Sequence, residues 1–168
     1  HATPHPDPLP SLCDEPPVLV TGAAGFVGAH LCRLLLEQPG WRVEAVGRRP
    51  HAAPAGAAER YRPHALDLLD AAATTRLLAA ARPDAIVHLA AQSSVGASLR
   101  APAATLTGNL LPQLHLLEGC RATGLDPLII VAGSADEYGA SARADAPLTE
   151  ACALRPTNPY AVSKVAQE

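Results

Sequence analysis

Three groups of residues in this 168-residue chain have types and spacings that could do chemistry. The first is Thr21-Gly22-Ala23-Ala24-Gly25-Phe26-Val27-Gly28, where Gly22, Gly25 and Gly28 stand between a short apolar run and an amphipathic one. Small residues at a strand-to-helix turn let backbone amides and the positive end of a helix dipole approach a pyrophosphate. The second is Tyr160 and Lys164, four residues apart and therefore on one face of a helix. An ammonium beside a phenol stabilises the phenolate and suits the phenol to giving and taking a proton near working pH. Such a pair alone is common by chance. Its weight comes from following an apolar run whose end carries Ser134, in a chain that opens with the glycine turn. The third group is Arg48-Arg49, placed at the end of the second apolar run with no carboxylate there. An acid at that place holds a ribose diol and repels a 2'-phosphate, whereas guanidinium groups favour the phosphate. The expectation is NADP(H) in preference to NAD(H), with a pair of solvated loop arginines as the alternative.

These groups need a scaffold that brings them together, and the apolar pattern supplies one. From Pro17 onward, strand-like runs alternate with helix-like stretches, the signature of a parallel sheet covered by helices. Strands are expected at Val18 to Val20, Trp41 to Val46, Tyr61 to Leu66, Ala85 to Ala90 and Leu128 to Ala132. Helices are expected from Phe26 to Gln38, from an Asp70 cap to Ala81, and from about Pro102 to Arg121 with an end near Gly124. Pro112 lies inside the last of these and should kink it, because it has no N–H for the Gly108 carbonyl and its ring crowds that group. The stretch Pro50 to Glu59 reads as a loop. The fold class is α/β, a Rossmann-type doubly wound parallel sheet. Residues 1–16 carry a proline-rich tail, expected to be disordered, and residues 17–168 form the NADP-binding domain.

Composition narrows the function classes. A formal charge of -3 supplies no field for nucleic acid or an anionic membrane surface. No apolar run approaches the roughly 20 residues of a membrane span, and the first residues lack the hydrophobic segment of a signal peptide. The expectation is a soluble, cytoplasmic protein with no nucleic acid or membrane partner. The four cysteines are widely spaced and read as reduced thiols, and the seven histidines show no metal-ligand spacing, so no metal is expected.

With these residues in view, the chain resembles the extended short-chain dehydrogenase/reductase family, the nucleotide-sugar epimerases, dehydratases and reductases, from Val18 through Glu168. The matching stretches are Thr21 to Gly28, Asp67-Leu68, His88 to Val95, Asn109, Gly133 to Gly139, Pro147 to Glu150 and Arg155 to Tyr160. Within the family, Gln92 to Ser98 and Tyr160 to Glu168 most resemble the GDP-4-dehydro-6-deoxy-D-mannose reductases, with the GDP-mannose 4,6-dehydratases next. The resemblance implies that Gly22, Gly25, Phe26, Val27 and Gly28 hold the pyrophosphate end of the cofactor, that Asp67 and Leu68 border the adenine, and that Leu89, Ala90 and Ala91 line the path to the nicotinamide. It implies that Ser134 bonds the sugar carbonyl or hydroxyl, that Tyr160 transfers the proton, and that Lys164 binds the nicotinamide ribose and tunes Tyr160. Gln92, Ser93, Ser94 and Asp136 are implied on the substrate side. Asn109 has either a direct role or that of a polar residue near a kink.

Two departures from the family pattern bear on the reaction. Dehydratases need one or two acids just after the position of Ser134, and here Ala135 comes first, with Asp136 and Glu137 after it and Asp136 where a dehydratase carries glutamate. Elimination is disfavoured and stays open. Pro112-Gln113 replaces a common Gly-Thr, which bears on helix packing. The implied activity is reduction of the C4 carbonyl of a GDP-linked 6-deoxy sugar by NADPH. The alternatives are a 4,6-dehydratase, a C4 epimerase, or a non-catalytic cofactor-binding module. The family places most of its sugar-nucleotide site after Lys164, so the chain is expected to act as a cofactor-binding half-enzyme. It is expected to expose the fifth strand as an edge, and the full-length protein to form a homodimer.

Overall fold

The computed structural model describes residues 16–49, 51–142 and 147–168. Pro16 aside, the expected proline-rich tail lies outside them. Five parallel strands, β1 (Pro17–Thr21), β2 (Arg42–Gly47), β3 (Tyr61–Ala65), β4 (Ala85–His88) and β5 (Leu128–Val131), pair in the order β3-β2-β1-β4-β5. Five helices connect and cover them: α1 (Phe26–Glu37), α2 (Ala71–Ala81), α3 (Val95–Arg100), α4 (Pro102–Thr123) and α5 (Pro159–Val165).

The central strand explains the two cores. Successive side chains of β1 point to opposite faces of the sheet, and all five are buried. Val18 and Val20 pack with Val43, Ala45, Cys32 and Leu36 in the core that includes α1. Leu19 packs with Val46, Leu78, Ile86, Leu116 and Cys120, where α2 and α4 cross the other face. Each large side chain removed from water in this way contributes about 2 kcal/mol. The register continues the first face into β5 through Leu128 and Ile130, which remain half exposed. Among the described residues that face of β5 is only half covered, and β5 is the last strand of the described sheet.

Asp70 caps α2 as its sequence position suggests, accepting from the Ala73 amide at 2.9 Å. Three expectations need correction. Trp41 lies just outside β2. The fourth strand stops at His88 instead of reaching Ala90, because the Leu89 and Ala90 amides turn to the Thr21 hydroxyl, each at 3.1 Å. Helix α3, absent from the sequence reading, starts on Ser94, whose hydroxyl caps the Ala97 amide at 3.2 Å. Helix α4 continues through Pro112, which is buried within it.

One polar feature is hidden in an apolar-looking strand. Glu44, only 1% exposed, faces its cross-strand partner Arg62 and the nearby His64 on β3. His64 Nε2 lies 2.6 Å from its carboxylate, with Arg42 and Arg62 at 3.6 and 3.8 Å. A buried carboxylate needs such partners, and these four residues fasten edge strand β3 to the sheet.

Candidate functional site

The glycine turn leaves β1 in a shape that side chains would prevent. Gly22 has φ +69°, and a Cβ there would stand 2.9 Å from the Ala90 nitrogen. A Cβ on Gly28 would stand 2.2 Å from the Gly22 carbonyl oxygen. The turn is therefore folded tightly on itself and against the segment after β4, which places Gly22 beside Ala90. Helix α1 begins at Gly25 with no capping side chain and no acid in its first turn, so its leading amides and its dipole remain available to an anion. These features fit a dinucleotide pyrophosphate. Phe26 is 82% exposed and Val27 is also exposed, the Phe26 ring tilting against His30.

Beneath the turn, Thr21 joins β1 to the end of β4. Its oxygen accepts from the Leu89 and Ala90 amides, so its own proton goes to His88 Nδ1, 2.8 Å away. That assigns the remaining ring proton to Nε2, which is enclosed and has no hydrogen-bond partner. Burial, helped by the charge of Lys164, pushes the His88 pKa down to about 4, which keeps the ring neutral. Farther along the sheet, Arg48 and Arg49 are exposed just beyond β2. Asp67 accepts from the Leu69 amide at 3.0 Å, and buried Leu68 receives at its carbonyl a hydrogen bond from His115 on α4, at 2.7 Å.

The second half of the site is assembled by side chains. Asn158 caps α5 by accepting from the Ala161 amide at 2.8 Å, and Pro159 opens the helix, where its missing N–H costs nothing. Tyr160 and Lys164 follow on one face and are both buried. Ser163 donates to the Tyr160 carbonyl at 2.6 Å and accepts from Asn109 at 2.8 Å. Asn109, fully buried on α4, also clamps the Gln92 peptide, accepting from its N–H at 2.8 Å and donating to its C=O at 3.1 Å. Gln167 donates to the Asn109 carbonyl, and Gln113 donates to the Gln167 carbonyl.

Ser134 starts a 3₁₀ turn over Ala135–Glu137, its hydroxyl accepting from the Asp136 amide at 3.2 Å. Lys164 Nζ donates to the Ala132 carbonyl at 2.8 Å. Burial pulls the Lys164 ammonium below its ordinary range, opposed by the charge of Glu137.

The nominated residues fall in three places: Gly22 to Gly28 with Leu89 to Ala91, Arg48 and Arg49 with Asp67 and Leu68 at the far strand ends, and Ser134 with Tyr160 and Lys164. On the nominated substrate side, Asp136 and Ser93 are exposed. Ser94 is engaged as the α3 cap, and the Gln92 side-chain amide donates to Thr105 and to the Ser94 carbonyl, each at 3.1 Å. Asn109 spends its side-chain amide on the Gln92 peptide and on Ser163. Thr21, His88, Ser163 and Gln167 have no role assigned from the sequence, although Thr21 and His88 lie in its matching stretches. The available signal was a polar residue at a core-facing position: Thr21 and His88 are direct partners in the register of two otherwise apolar strands.

Parallel strands whose order reverses beside β1, with a glycine turn at that switch point, define a dinucleotide-binding fold of the Rossmann type. The chain belongs to the NAD dependent epimerase/dehydratase family, whose model matches residues 18–168. It is 38% identical over 152 residues to a GDP-6-deoxy-D-mannose reductase of Pseudomonas aeruginosa, a match covering 90% of this chain and 44% of that protein. It is 36% identical over 162 residues to UDP-glucose 4-epimerase 2 of Oryza sativa subsp. japonica, covering 90% and 38%. Among solved structures, RMD from Pseudomonas aeruginosa complexed with NADPH superposes with TM-score 0.72 at 36% identity, covering 90% of this chain and 46% of that one. The UDP-glucose 4-epimerase of Thermus thermophilus in complex with NAD superposes with TM-score 0.79 at 34% identity, covering 90% and 48%. The chain thus spans less than half the length of these relatives. Its family is one of NAD(P)-dependent enzymes of nucleotide sugars. No helix among the described residues is long and apolar enough to cross a membrane.

Proposed function

We propose that the protein is an NADPH-dependent nucleotide-sugar reductase acting on the C4 carbonyl of GDP-4-dehydro-6-deoxy-mannose. What supports this reading is the buried Tyr160 and Lys164 pair on α5, with Lys164 tied to the Ala132 carbonyl two residues before Ser134, on a chain most of which aligns with a GDP-6-deoxy-D-mannose reductase. Bound NADPH would supply the hydride. Gly22, Gly25 and Gly28 with the first amides of α1 hold its pyrophosphate, and Phe26 and Val27 flank it. Arg48 and Arg49 read the 2'-phosphate, Asp67 and Leu68 border the adenine, and Leu89 to Ala91 guide the nicotinamide end. Ser134 holds the sugar oxygen, and Tyr160 gives its proton to that oxygen as charge develops there. Lys164 stabilises the phenolate so formed and holds the nicotinamide ribose. Gln92, Ser93 and Ser94 border the sugar.

Asp136, exposed beside Ser134, supports a second reading as a 4,6-dehydratase. The two readings part on redox balance. A reductase consumes one NADPH for each ketosugar, whereas a dehydratase returns its cofactor unchanged. The test is stoichiometry with the native-length protein, following nicotinamide absorbance against sugar product. Equimolar consumption is expected. Turnover of GDP-mannose with no net oxidation of NADPH would replace the reductase by the dehydratase. The native-length protein is further proposed to be a soluble cytoplasmic homodimer.

A further inference from the structure

The Arg48-Arg49 pair is exposed, yet the backbone that carries it is held before and after. Before the pair, the Val46 carbonyl accepts from the Ala23 amide of the glycine turn at 3.1 Å, and the Gly47 carbonyl accepts from the Leu66 amide beyond β3 at 2.9 Å. After it, the Arg49 carbonyl accepts from His51 Nδ1 at 3.2 Å. A carbonyl can only accept, so Nδ1 carries a ring proton in this contact. The half-buried imidazole folds back toward the end of β2, into space left by the missing side chain of Gly47. A Cβ on Gly47 would stand 3.3 Å from the His51 Nδ1 and Cε1 atoms and 3.5 Å from the Ala24 Cβ. The ring also meets Tyr61 of β3 edge-on, with centroids 6.0 Å apart and planes at 87°.

Packing alone does not account for a histidine at this place. Its Nε2 is enclosed and has no hydrogen-bond partner among the described residues, a cost that an apolar side chain of similar size would avoid. The one nitrogen that is engaged holds the Arg49 carbonyl. The ion pairs of the described residues involve neither Arg48 nor Arg49, so both guanidiniums stand without a carboxylate on a fixed stretch of backbone. We infer that His51 is a positioning residue for cofactor selectivity: by holding the Arg49 carbonyl, it fixes the Arg48-Arg49 turn in the shape that receives a 2'-phosphate. This rests on the proposed reading of that pair as the 2'-phosphate site. An arginine whose backbone is already fixed gives up less freedom when it takes a phosphate. The brace therefore acts on the cofactor that carries the phosphate and leaves the pyrophosphate and adenine contacts unchanged.

The test is calorimetric titration of the native-length protein and its His51 variants with NADP+ and NAD+, which differ only by the 2'-phosphate. His51→Leu removes the donor. His51→Gln carries its amide past the position of Nδ1, and covers the case in which Leu disturbs the packing against Tyr61. His51→Asn puts an amide N–H where Nδ1 stands. The expected result is an NADP+ affinity about fivefold weaker in the Leu and Gln variants, the worth of one hydrogen bond, with NAD+ affinity within about twofold of wild type and the preference restored in the Asn variant. Equal losses for both cofactors, a preference untouched by Leu and Gln, or an Asn variant no better than Leu would overturn the inference and leave His51 as packing against Gly47 and Tyr61. A wild-type protein with no preference for NADP+ would instead overturn the reading of Arg48 and Arg49, and the role of His51 with it.

Discussion

The two ends of the candidate site are built by different means. At the glycine turn, the shape is carried by backbone: Gly22 and Gly28 pack where a Cβ cannot go, and α1 begins without a capping side chain. At the Ser134, Tyr160 and Lys164 corner, the shape is carried by side chains reaching between elements, as Asn109 does to Ser163 across 54 residues of sequence. A backbone site depends on a few residue identities close together and fails sharply when one gains an atom. A side-chain site depends on the packing of α4, α5 and the loop after β5, and on which groups hold protons. The Thr21 and His88 pair joins the two, fixing the glycine turn and the end of β4 to one another.

The largest separation of the two ends should come from Tyr160→Phe. Removing the proposed proton donor is expected to reduce turnover by about 100- to 10,000-fold while leaving dinucleotide affinity within about twofold, because no contact of the glycine turn changes. Turnover assays of the native-length protein beside calorimetric binding check this. Activity close to wild type would remove Tyr160 from the mechanism.

Acid should next strike the junction between the ends. His88 is held neutral with its pKa near 4, against an ordinary 6.5. Between those values the unfolded chain binds the proton and the folded one does not, so stability is full above the upper value and falls as pH drops toward the lower. Below about 4 both states are protonated and the loss levels off. The expected cost across the window is about 3 kcal/mol, read from urea unfolding at successive pH values. A flat profile over that range would show that His88 accepts its proton without penalty.

A change confined to the backbone end should cost somewhat less in stability. Gly28→Ala puts a methyl 2.2 Å from the Gly22 carbonyl, and overpacking of this kind costs about 1–3 kcal/mol. Dinucleotide affinity is expected to fall at least about tenfold, since each 1.4 kcal/mol of lost fit is a factor of ten. A variant that binds and melts like wild type would mean that the turn is looser than its geometry indicates. The smallest effect should be the most selective: Arg48→Ala is expected to weaken NADPH about tenfold and leave NADH unchanged. Equal losses for both cofactors would move Arg48 away from the 2'-phosphate.

The same contrast explains what was legible in the sequence. The glycine turn, the order of elements and the Asp70 cap are local, and each could be read from a few neighbouring residues. The end of β4 could not, because it is set by the hydroxyl of Thr21, 68 residues upstream of Leu89. Helix α3 was missed because Gln92 to Ser98 is polar and short, with its start given by the Ser94 cap. Glu44 escaped notice because a charge between Val43 and Ala45 in a buried strand becomes intelligible only once β3 places Arg62 and His64 beside it. Tyr160 and Lys164 were visible as a pair, whereas the network that positions them, Asn109, Ser163 and Gln167, becomes visible only when α4 and α5 are packed together.

The glycine turn and the end of β2 are proposed to form an NADP(H)-reading site. Calorimetric titration with NADPH and, in parallel, NADH tests it most directly. Saturable binding of both is expected, with NADPH the tighter by about tenfold or more. Equal affinities, or a preference for NADH, would contradict the assignment of Arg48 and Arg49, and absence of binding by either would contradict the site itself.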